Sequence, residues 1–293
     1  MQAYSYYGCR PLQPCSTPTI VICSGGSGGG GTGTILPNGA CFSDYIFWNG
    51  SNWTAGGPEL HLACQAGQYN QGSNAVALGF RAGQSGQGVD AIAIGNQAGN
   101  NNQYNNAIAI GDNAGNTDQK DYSTAIGSAA GYTNQGYTCV AIGASSGQEN
   151  QQDNATAIGS NSGAYSQGES SVAIGDSAAQ YNQNNNSVAI GAYSGYQNQS
   201  NYSVAIGSEA GRYTQGANAV AIGNQAGFTQ QPANSIVINA SGTALNGVEN
   251  GLCISSLNTT SNNSNYLVYN STTKEISYNT NSVSSIDIPN LNN

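Results

Sequence analysis

Side chains able to act in catalysis or to bind a metal are few in this chain, and they do not cluster. There is one histidine, His61, and the fourteen acidic residues occupy no recurring position. A nucleophilic triad needs a histidine beside its nucleophile, and a metal site needs several histidine, cysteine or carboxylate ligands at suitable spacing. The sequence therefore predicts no catalytic residue, no metal site and no cofactor, and we expect a protein that is not an enzyme.

The seven cysteines leave two interpretations open. No pair has the Cys-x-x-Cys spacing of a redox or zinc motif. Four cysteines fall within the first 41 residues, which is compatible with disulfides or cross-links between chains at that end. Unpaired thiols in a reducing compartment are the alternative. The cysteines are Cys9, Cys15, Cys23, Cys41, Cys64, Cys139 and Cys253.

The composition argues against several classes of partner. Only 6% of the residues are charged, the net charge is −9, and Lys and Arg form no cluster. Nucleic-acid binding needs several cations that neutralise phosphates, so we expect none. No run approaches the roughly 18 apolar residues of a membrane span, and the first residues lack the pattern of a secretory signal. We therefore expect no membrane insertion and no N-terminal signal of that kind.

A repeat of 16 residues fills the chain from about 63 to 239. We number each repeat from the glycine that closes a Val-Ala-Ile-type run, so that Gly79 and Gly95 are both position 1. Position 4 is Ala or Ser, position 5 is Gly except at Ala179, and positions 13 to 16 alternate small and branched residues. Position 9 is glutamine in all eleven copies, namely Gln71, Gln87, Gln103, Gln119, Gln135, Gln151, Gln167, Gln183, Gln199, Gln215 and Gln231.

The alternation at positions 13 to 16 has the period of two that is typical of a β-strand. A helix fits badly, because 16 is not a multiple of about 3.6 and the recurring glycines would break it. We predict an all-β fold, a parallel β-solenoid (β-roll) of eleven 16-residue rungs with terminal β caps. Glycines at positions 1 and 5 would form the corners. The stacked glutamines would form an axial hydrogen-bond ladder; a row of ligand-binding amides is the alternative.

The small and branched residues of each strand require two different environments. We assign the branched residues of positions 14 and 16, such as Val204 and Ile206, to the rod's own core. The small residues of position 15 would then pack against neighbouring chains, because small side chains permit close approach and one chain's core is thin. This predicts a homo-oligomer, and a trimer in particular since three rods can share one axis. The interface candidates are Ala93, Ala109, Ala125, Ala141, Ala157, Ala173, Ala189, Ala205 and Ala221.

Aromatic side chains outside the predicted core are the candidates for ligand contact. Five tyrosines lie at the outward positions 6 and 7, and an aromatic flank suits stacking on sugars; plain surface decoration is the alternative. Two tryptophans flank an Asn-Gly hairpin turn signal and form either a sugar-stacking platform or a cap on the open end of the array. The possible glycan contacts are Trp48, Trp53, Tyr132, Tyr165, Tyr181, Tyr196 and Tyr213.

The segments beside the array suggest attachment and capping. Tyr266–Tyr269 and Glu275–Tyr278 flank a turn, so we predict a β-hairpin that covers the last rung. A Gly/Ser-rich stretch near the other end would separate a head segment from the rod. The predicted parts are an N-terminal attachment segment (1–23), a Gly/Ser linker (24–34), an aromatic β cap (35–62), the solenoid (63–239), and a C-terminal hairpin cap with a tail (240–293).

Two resemblances to known families add to this prediction. The SVAIG and AIAIG runs resemble the head repeat of trimeric autotransporter adhesins, which implies a left-handed β-roll that assembles as a trimer. The WNGSNW run before the array, NSIVINASGTALN after it and STTKEISY near the end resemble fibre-like repeat proteins of large DNA viruses of algae and protists. That second resemblance implies a protein of the virion surface.

Together these observations predict a non-enzymatic, rigid trimeric rod displayed on a virion or cell surface. Its partners would be copies of itself and a glycan or protein of a host surface. Two alternatives stay open. One is a glycan-binding solenoid, with ice binding disfavoured because regular threonine rows are absent. The other is a subunit of an end-to-end extracellular filament.

Overall fold

The computed structural model describes residues 45–255, 266–270 and 272–279. The predicted attachment segment 1–23 and linker 24–34 lie outside the described residues, as do parts of both predicted caps. Across the described residues the regular structure consists of β-strands, and no helix there could span a membrane.

Each 16-residue repeat forms one turn of a solenoid, with a three-residue strand at positions 14–16 and, from the second repeat onward, another at positions 7–9. The first set makes a 13-stranded parallel sheet, here called sheet one. Its strands are β3 (Leu60–Leu62), β4 (Val76–Leu78), β6 (Ile92–Ile94), β8 (Ile108–Ile110), β10 (Thr124–Ile126), β12 (Val140–Ile142), β14 (Thr156–Ile158), β16 (Val172–Ile174), β18 (Val188–Ile190), β20 (Val204–Ile206), β22 (Val220–Ile222), β24 (Ile236–Ile238) and β25 (Leu252–Ile254).

The second set makes a ten-stranded parallel sheet, here called sheet two. Its strands are β5 (Ser85–Gln87), β7 (Asn101–Gln103), β9 (Thr117–Gln119), β11 (Thr133–Gln135), β13 (Glu149–Gln151), β15 (Tyr165–Gln167), β17 (Tyr181–Gln183), β19 (Gln197–Gln199), β21 (Tyr213–Gln215) and β23 (Thr229–Gln231).

Every strand of sheets one and two pairs with the strand one repeat away, so identical positions stack on one another. Ala125 is opposite Ala141 in sheet one, and Gln135 is opposite Gln151 in sheet two. The predicted parallel β-solenoid is confirmed. It has about twelve turns rather than eleven, because β3 and β25 continue sheet one beyond the recognisable repeats at its two ends.

The interior of the rod is filled by the small residues, which corrects the assignment of the two strand faces. All nine predicted interface alanines are 0% exposed within a single chain. They pack against the alanines or serines of position 4, which are also buried. The prediction that they meet a neighbouring chain is therefore wrong. The corrected residues are Ala93, Ala109, Ala125, Ala141, Ala157, Ala173, Ala189, Ala205 and Ala221.

The branched residues lie on the outside of sheet one, so their assignment to the core is also wrong. Ile206 is 38% exposed, and Val204 is half-buried on the same outer surface. The physical reason is the thinness of the rung. A Cβ built on Gly115 at position 5 would lie 3.2 Å from the Cβ of Ala109 and closer still to the side-chain amide of Gln119. An isoleucine has no room between walls this close, so the interior holds methyl groups and the side chains of the position 9 glutamines.

Glycine at positions 1 and 5 is required by both conformation and space. Gly143 has φ +125°, and a Cβ there would lie 2.6 Å from the carbonyl oxygen of Gly159 in the next rung. Gly147 has φ +49° and lies directly against Gln151. These left-handed backbone conformations favour glycine, so the predicted corners are present.

A hairpin covers the N-terminal end of sheet one. It consists of β1 (Ile46–Trp48) and β2 (Trp53–Ala55), paired antiparallel around the predicted Asn-Gly turn. The Tyr45 hydroxyl donates to the carbonyl oxygen of Glu59 at 2.9 Å and lies 3.4 Å from the amide nitrogen of His61. These contacts satisfy backbone groups along β3, the edge strand that would otherwise be open to further pairing.

A loop after the last repeat covers the C-terminal edge of sheet two. Leu245 accepts a hydrogen bond from the Gly227 amide, and the Asn246 side chain accepts one from the Thr229 amide. The predicted hairpin is present as β26 (Tyr266–Tyr269) and β27 (Ile276–Asn279), paired antiparallel. That this hairpin covers the last rung stays a prediction.

Candidate functional site

The glutamines of position 9 form a continuous chain of amide hydrogen bonds inside the rod. From Gln87 to Gln231 each Nε2 donates to the Oε1 of the next glutamine, at 3.0 to 3.2 Å. Each Nε2 also donates to a backbone carbonyl of sheet one, as Gln151 does to Val140 at 2.9 Å. We call these ten residues the glutamine ladder. Through these hydrogen bonds the glutamines of sheet two are linked to sheet one. Because their amides are almost fully buried, they cannot contact a ligand in solvent.

Gln71, the first predicted member, ends the series in a different way. Its Nε2 donates to the carbonyl oxygens of Leu60 and Ala75, each at 3.2 Å, while its Oε1 lies 2.9 Å from Nδ1 of His61. Oε1 of Gln87 is buried without a hydrogen-bond partner. The acceptor end of the ladder at Gln87 therefore has no donor, and His61 Nδ1–H donates instead to Gln71, one turn before the ladder begins. His61 thus has a structural partner that explains its presence without catalysis.

The outer surface of sheet one is a long apolar face built from positions 14 and 16. Position 16 is Ile or Leu from Leu62 to Ile254, and position 14 is mostly Val or Ile with two threonines. The side chains at these positions are half-buried to exposed in one chain. The columns run the full length of sheet one, roughly 55–60 Å at about 4.8 Å per strand. We call this surface the apolar face.

The outer surface of sheet two carries a line of aromatic rings over five successive turns. Tyr165 and Tyr181 stack with ring centroids 5.3 Å apart, and the following rings meet edge to face at 5.4 to 6.3 Å. All five rings are partly accessible to solvent. We call this line the aromatic strip. It consists of Tyr165, Tyr181, Tyr196, Tyr213 and Phe228.

One cation lies within the aromatic strip. The Arg212 guanidinium carbon is 5.0 Å from the Tyr193 ring centroid and 5.1 Å from that of Tyr213, and it is close to two further rings. Its Nη1 donates to Oε1 of Glu209, and Gln225 donates to the other carboxylate oxygen. Burial raises the pKa of Tyr196, and the neighbouring Tyr181 adds to that shift. The cluster is thus held by cation–π contacts and one ion pair.

The other possible glycan contacts are separate from the strip. Tyr132 shares position 6 with Tyr196, but the next rung carries Gln148 and Glu149 at positions 6 and 7, so the line of rings is broken there. Trp48 and Trp53 are at the N-terminal hairpin, about half-exposed, with ring centroids 5.8 Å apart. The structure therefore brings together four of the seven predicted aromatic contacts and leaves three apart.

The described cysteines are free, and they differ in exposure. Cys139 is buried at position 13, and burial raises the pKa of its thiol to about 11. Cys64 is exposed and Cys253 is intermediate. Within the described ranges no three His, Cys, Asp or Glu side chains are grouped so as to hold a metal ion. The four N-terminal cysteines lie outside the described residues.

Four residues of these sites were not among the predicted site residues. Phe228 and Arg212 occupy position 6, the column that holds Tyr196, so comparing rungs by position would have found them. Tyr193 is at position 3 and joins the cluster only through the folding of the turn. The contact of His61 with Gln71 has a weak signal, because His61 stands at position 15, where the following repeats carry alanine.

The fold defines a parallel β-solenoid with one uniform and one variable outer surface. Residues 151–178 match two copies of the YadA head domain repeat. This match covers less than two turns, so it relates the repeat to that family over a short part of the array. No match to a curated protein or to a solved structure was found. The resemblance to viral fibre proteins stays a prediction.

Proposed function

We propose that this protein is a self-associating, adhesin-like rod of structural function, displayed on a virion or cell surface and assembled as a homotrimer through the apolar face. The observation that carries the proposal is the continuity of that face. Contiguous exposed apolar surface is unusual for a monomer and marks an interaction site. Here it extends along the whole of sheet one.

A second copy of the chain is the partner that fits the apolar face best. The side chains of positions 14 and 16 repeat once per strand, at about 4.8 Å. A partner with the same repeat meets every rung with the same complementary spacing, whereas an ordinary globular surface matches only a few rungs. Three copies can place their apolar faces around one axis and leave each sheet two outside. This arrangement retains the trimer prediction but replaces the alanines with the branched residues.

Surface display rests on the YadA head domain repeat match and on the resemblance to trimeric autotransporter adhesins. The low charge and the repeated, stacked turns suit a stiff spacer rather than an enzyme. The position of the protein on a virion rests on the resemblance of the flanking segments to viral fibre proteins. The three parts of the proposal, which are self-association, surface display and virion origin, can fail separately.

Sedimentation equilibrium combined with electron microscopy tests self-association. We expect a species of three times the 29.8 kDa chain mass, seen as short discrete rods. A folded monomer at micromolar concentration would contradict the proposal. Long filaments would instead support the end-to-end alternative, which the covered edges at β3 and β23 oppose. Immunogold labelling of intact particles or cells then tests display.

Contact with glycans is a second candidate function. It is favoured by one observation, the clustering of four predicted aromatic contacts on the surface that faces away from the apolar face. Tyrosine rings combine an apolar face with a polar tip and suit sugar recognition. The test is binding of the assembled rod to a panel of immobilised glycans.

A further inference from the structure

We propose that the aromatic strip binds a neutral, linear glycan chain lying parallel to the rod axis. This inference deepens the glycan-contact candidate and rests on it, and it assigns the contact to one place on the chain. Tyr165, Tyr181, Tyr196, Tyr213 and Phe228 form the strip, while Trp48, Trp53 and Tyr132 are excluded from it.

The direction of the bound chain follows from the arrangement of the rings. The strip provides one ring per turn over five consecutive turns, with successive centroids 5.3 to 6.3 Å apart. An extended chain of sugars laid along the axis meets these rings in sequence. A chain lying across the rod meets one ring, because each turn contributes only one member of the strip.

The neutral charge of the ligand follows from the pairing of charges in the strip. Arg212 is the only charged residue at positions 6 to 8 of these five turns. It is neutralised by Glu209, whose second carboxylate oxygen is bound by Gln225. The whole chain carries a net charge of −9, which repels acidic polymers at low ionic strength. A neutral glycan avoids that repulsion and does not require the ion pair to break.

The side chains next to the rings provide partners for sugar hydroxyls. Asn182 and Asn198 at position 8 are exposed, with their amides hydrogen-bonded to each other at 3.2 Å. Thr214 follows in the same column. Amides both donate and accept hydrogen bonds, as hydroxyls do. A line of rings flanked by neutral amide and hydroxyl groups is a surface that the apolar sides of sugars can contact while their hydroxyls are bound at the side.

The test compares two tyrosines at the same repeat position. Tyr196→Ser removes the central ring of the strip, and Tyr132→Ser removes an isolated ring from the same column two turns outside it. Binding of cellohexaose and chitohexaose is measured by isothermal titration calorimetry against the assembled wild-type rod and both variants. Hyaluronan hexasaccharide is the acidic probe. Thermal unfolding of each variant verifies that the rod is intact, and Tyr213→Ser replaces Tyr196→Ser if the latter fails to fold.

We expect a neutral hexasaccharide to bind, with affinity about tenfold weaker in Tyr196→Ser and changed by less than about twofold in Tyr132→Ser. Binding that is equally strong in all three proteins shows that the aromatic strip is not the binding site. The broader proposal of glycan contact then stands, with the contact elsewhere on the rod. Binding of the acidic probe alone overturns the neutral class. Absence of binding to every probe overturns both this inference and the glycan-contact candidate, and it leaves the trimeric rod untouched.

Discussion

The outer surfaces of sheet one and sheet two differ although they belong to the same turns. On sheet one, each rung presents branched or long apolar residues at positions 14 and 16. On sheet two, positions 6 to 8 change from rung to rung, from Asn101 and Glu149 to the rings of the aromatic strip. The backbone repeats identically on both sides, so backbone geometry does not cause the difference.

This contrast shows what each surface has to match. A surface that packs along its whole length against copies of itself must keep the same side chains in every rung. A surface that faces solvent or an unrelated partner needs only to preserve the turn. Uniformity therefore indicates self-association, and local variation indicates where contact with other molecules can arise.

Charges on the apolar face should abolish self-association. The double variant Ile158→Glu, Ile174→Glu places one carboxylate on each of two adjacent rungs in each copy. Burying several unpaired carboxylates costs several kcal/mol each, so we expect monomers at micromolar concentration by sedimentation equilibrium. The control, Asn150→Glu with Ser166→Glu, adds the same charges to sheet two of the same rungs and should remain assembled. Dissociation of both variants would remove the distinction between the two surfaces.

Replacing a buried glutamine of the ladder should destabilise the rod more than replacing a glutamine on the outer surface of sheet two. Gln151→Leu removes the hydrogen bonds to Gln167 and Val140 and leaves a buried acceptor unpaired. We expect a loss of about 3 kcal/mol, measured by urea unfolding of the dissociated charge variant. Gln197→Leu, on the exposed surface of sheet two, should change stability by less than about 0.5 kcal/mol. Equal effects would mean that the ladder contributes no more than surface amides.

Enlarging an interior alanine should reduce the free energy of unfolding more than enlarging an outward residue of the same strand. Ala157→Leu overpacks the space between the sheets and should cost about 2 kcal/mol. Thr156→Leu adds a similar side chain to the apolar face and should leave the stability of the dissociated chain within about 0.5 kcal/mol. Urea unfolding of both variants measures this. The reverse order would restore the original assignment of the faces.

The smallest expected effect concerns Cys139 at the margin of sheet one. Its thiol has a pKa of about 11 when folded, raised by burial from 9.0. The neutral thiol is therefore favoured by folding, so this stabilisation is complete below pH 9 and is lost as pH rises through 11. We expect a loss of about 1.4 kcal/mol between pH 8 and pH 10.

Cys139→Ser provides the control for that pH dependence, because serine occupies position 13 in neighbouring repeats such as Ser123 and Ser171. The difference in unfolding free energy between wild type and variant should fall over that interval. A difference that stays constant from pH 8 to pH 10 would show that the thiol is not protected in the fold.

The period, the strands and the glutamine column could be predicted because each depends only on residues that recur at a fixed interval. The direction of the strand faces could not. Alternation at Val204, Ala205 and Ile206 shows that the two faces differ, but only the width of the rung determines which face is inside. That width is set by the close approach of Gly115 to Ala109, a contact between residues of neighbouring turns.

The candidate sites were predictable to different degrees. Four tyrosines of the aromatic strip share outward positions, so their exposure follows from the sequence. Their assembly around Arg212 depends on how positions 3, 6 and 7 approach one another across turns, which spacing alone does not reveal. The apolar face was visible as a pattern but was placed on the wrong side of the strand, because large apolar residues are buried in most proteins.

The 16-residue register has a consequence for inheritance. Duplicating or deleting one whole unit keeps every column in phase, from the glutamines to the apolar face. The gene can therefore lengthen or shorten the rod in steps of about 4.8 Å without redesigning its interior or its apolar face. A change of any other length would misalign all later rungs. The length of the rod can therefore vary in discrete steps, independently of what the outer surface of sheet two contacts.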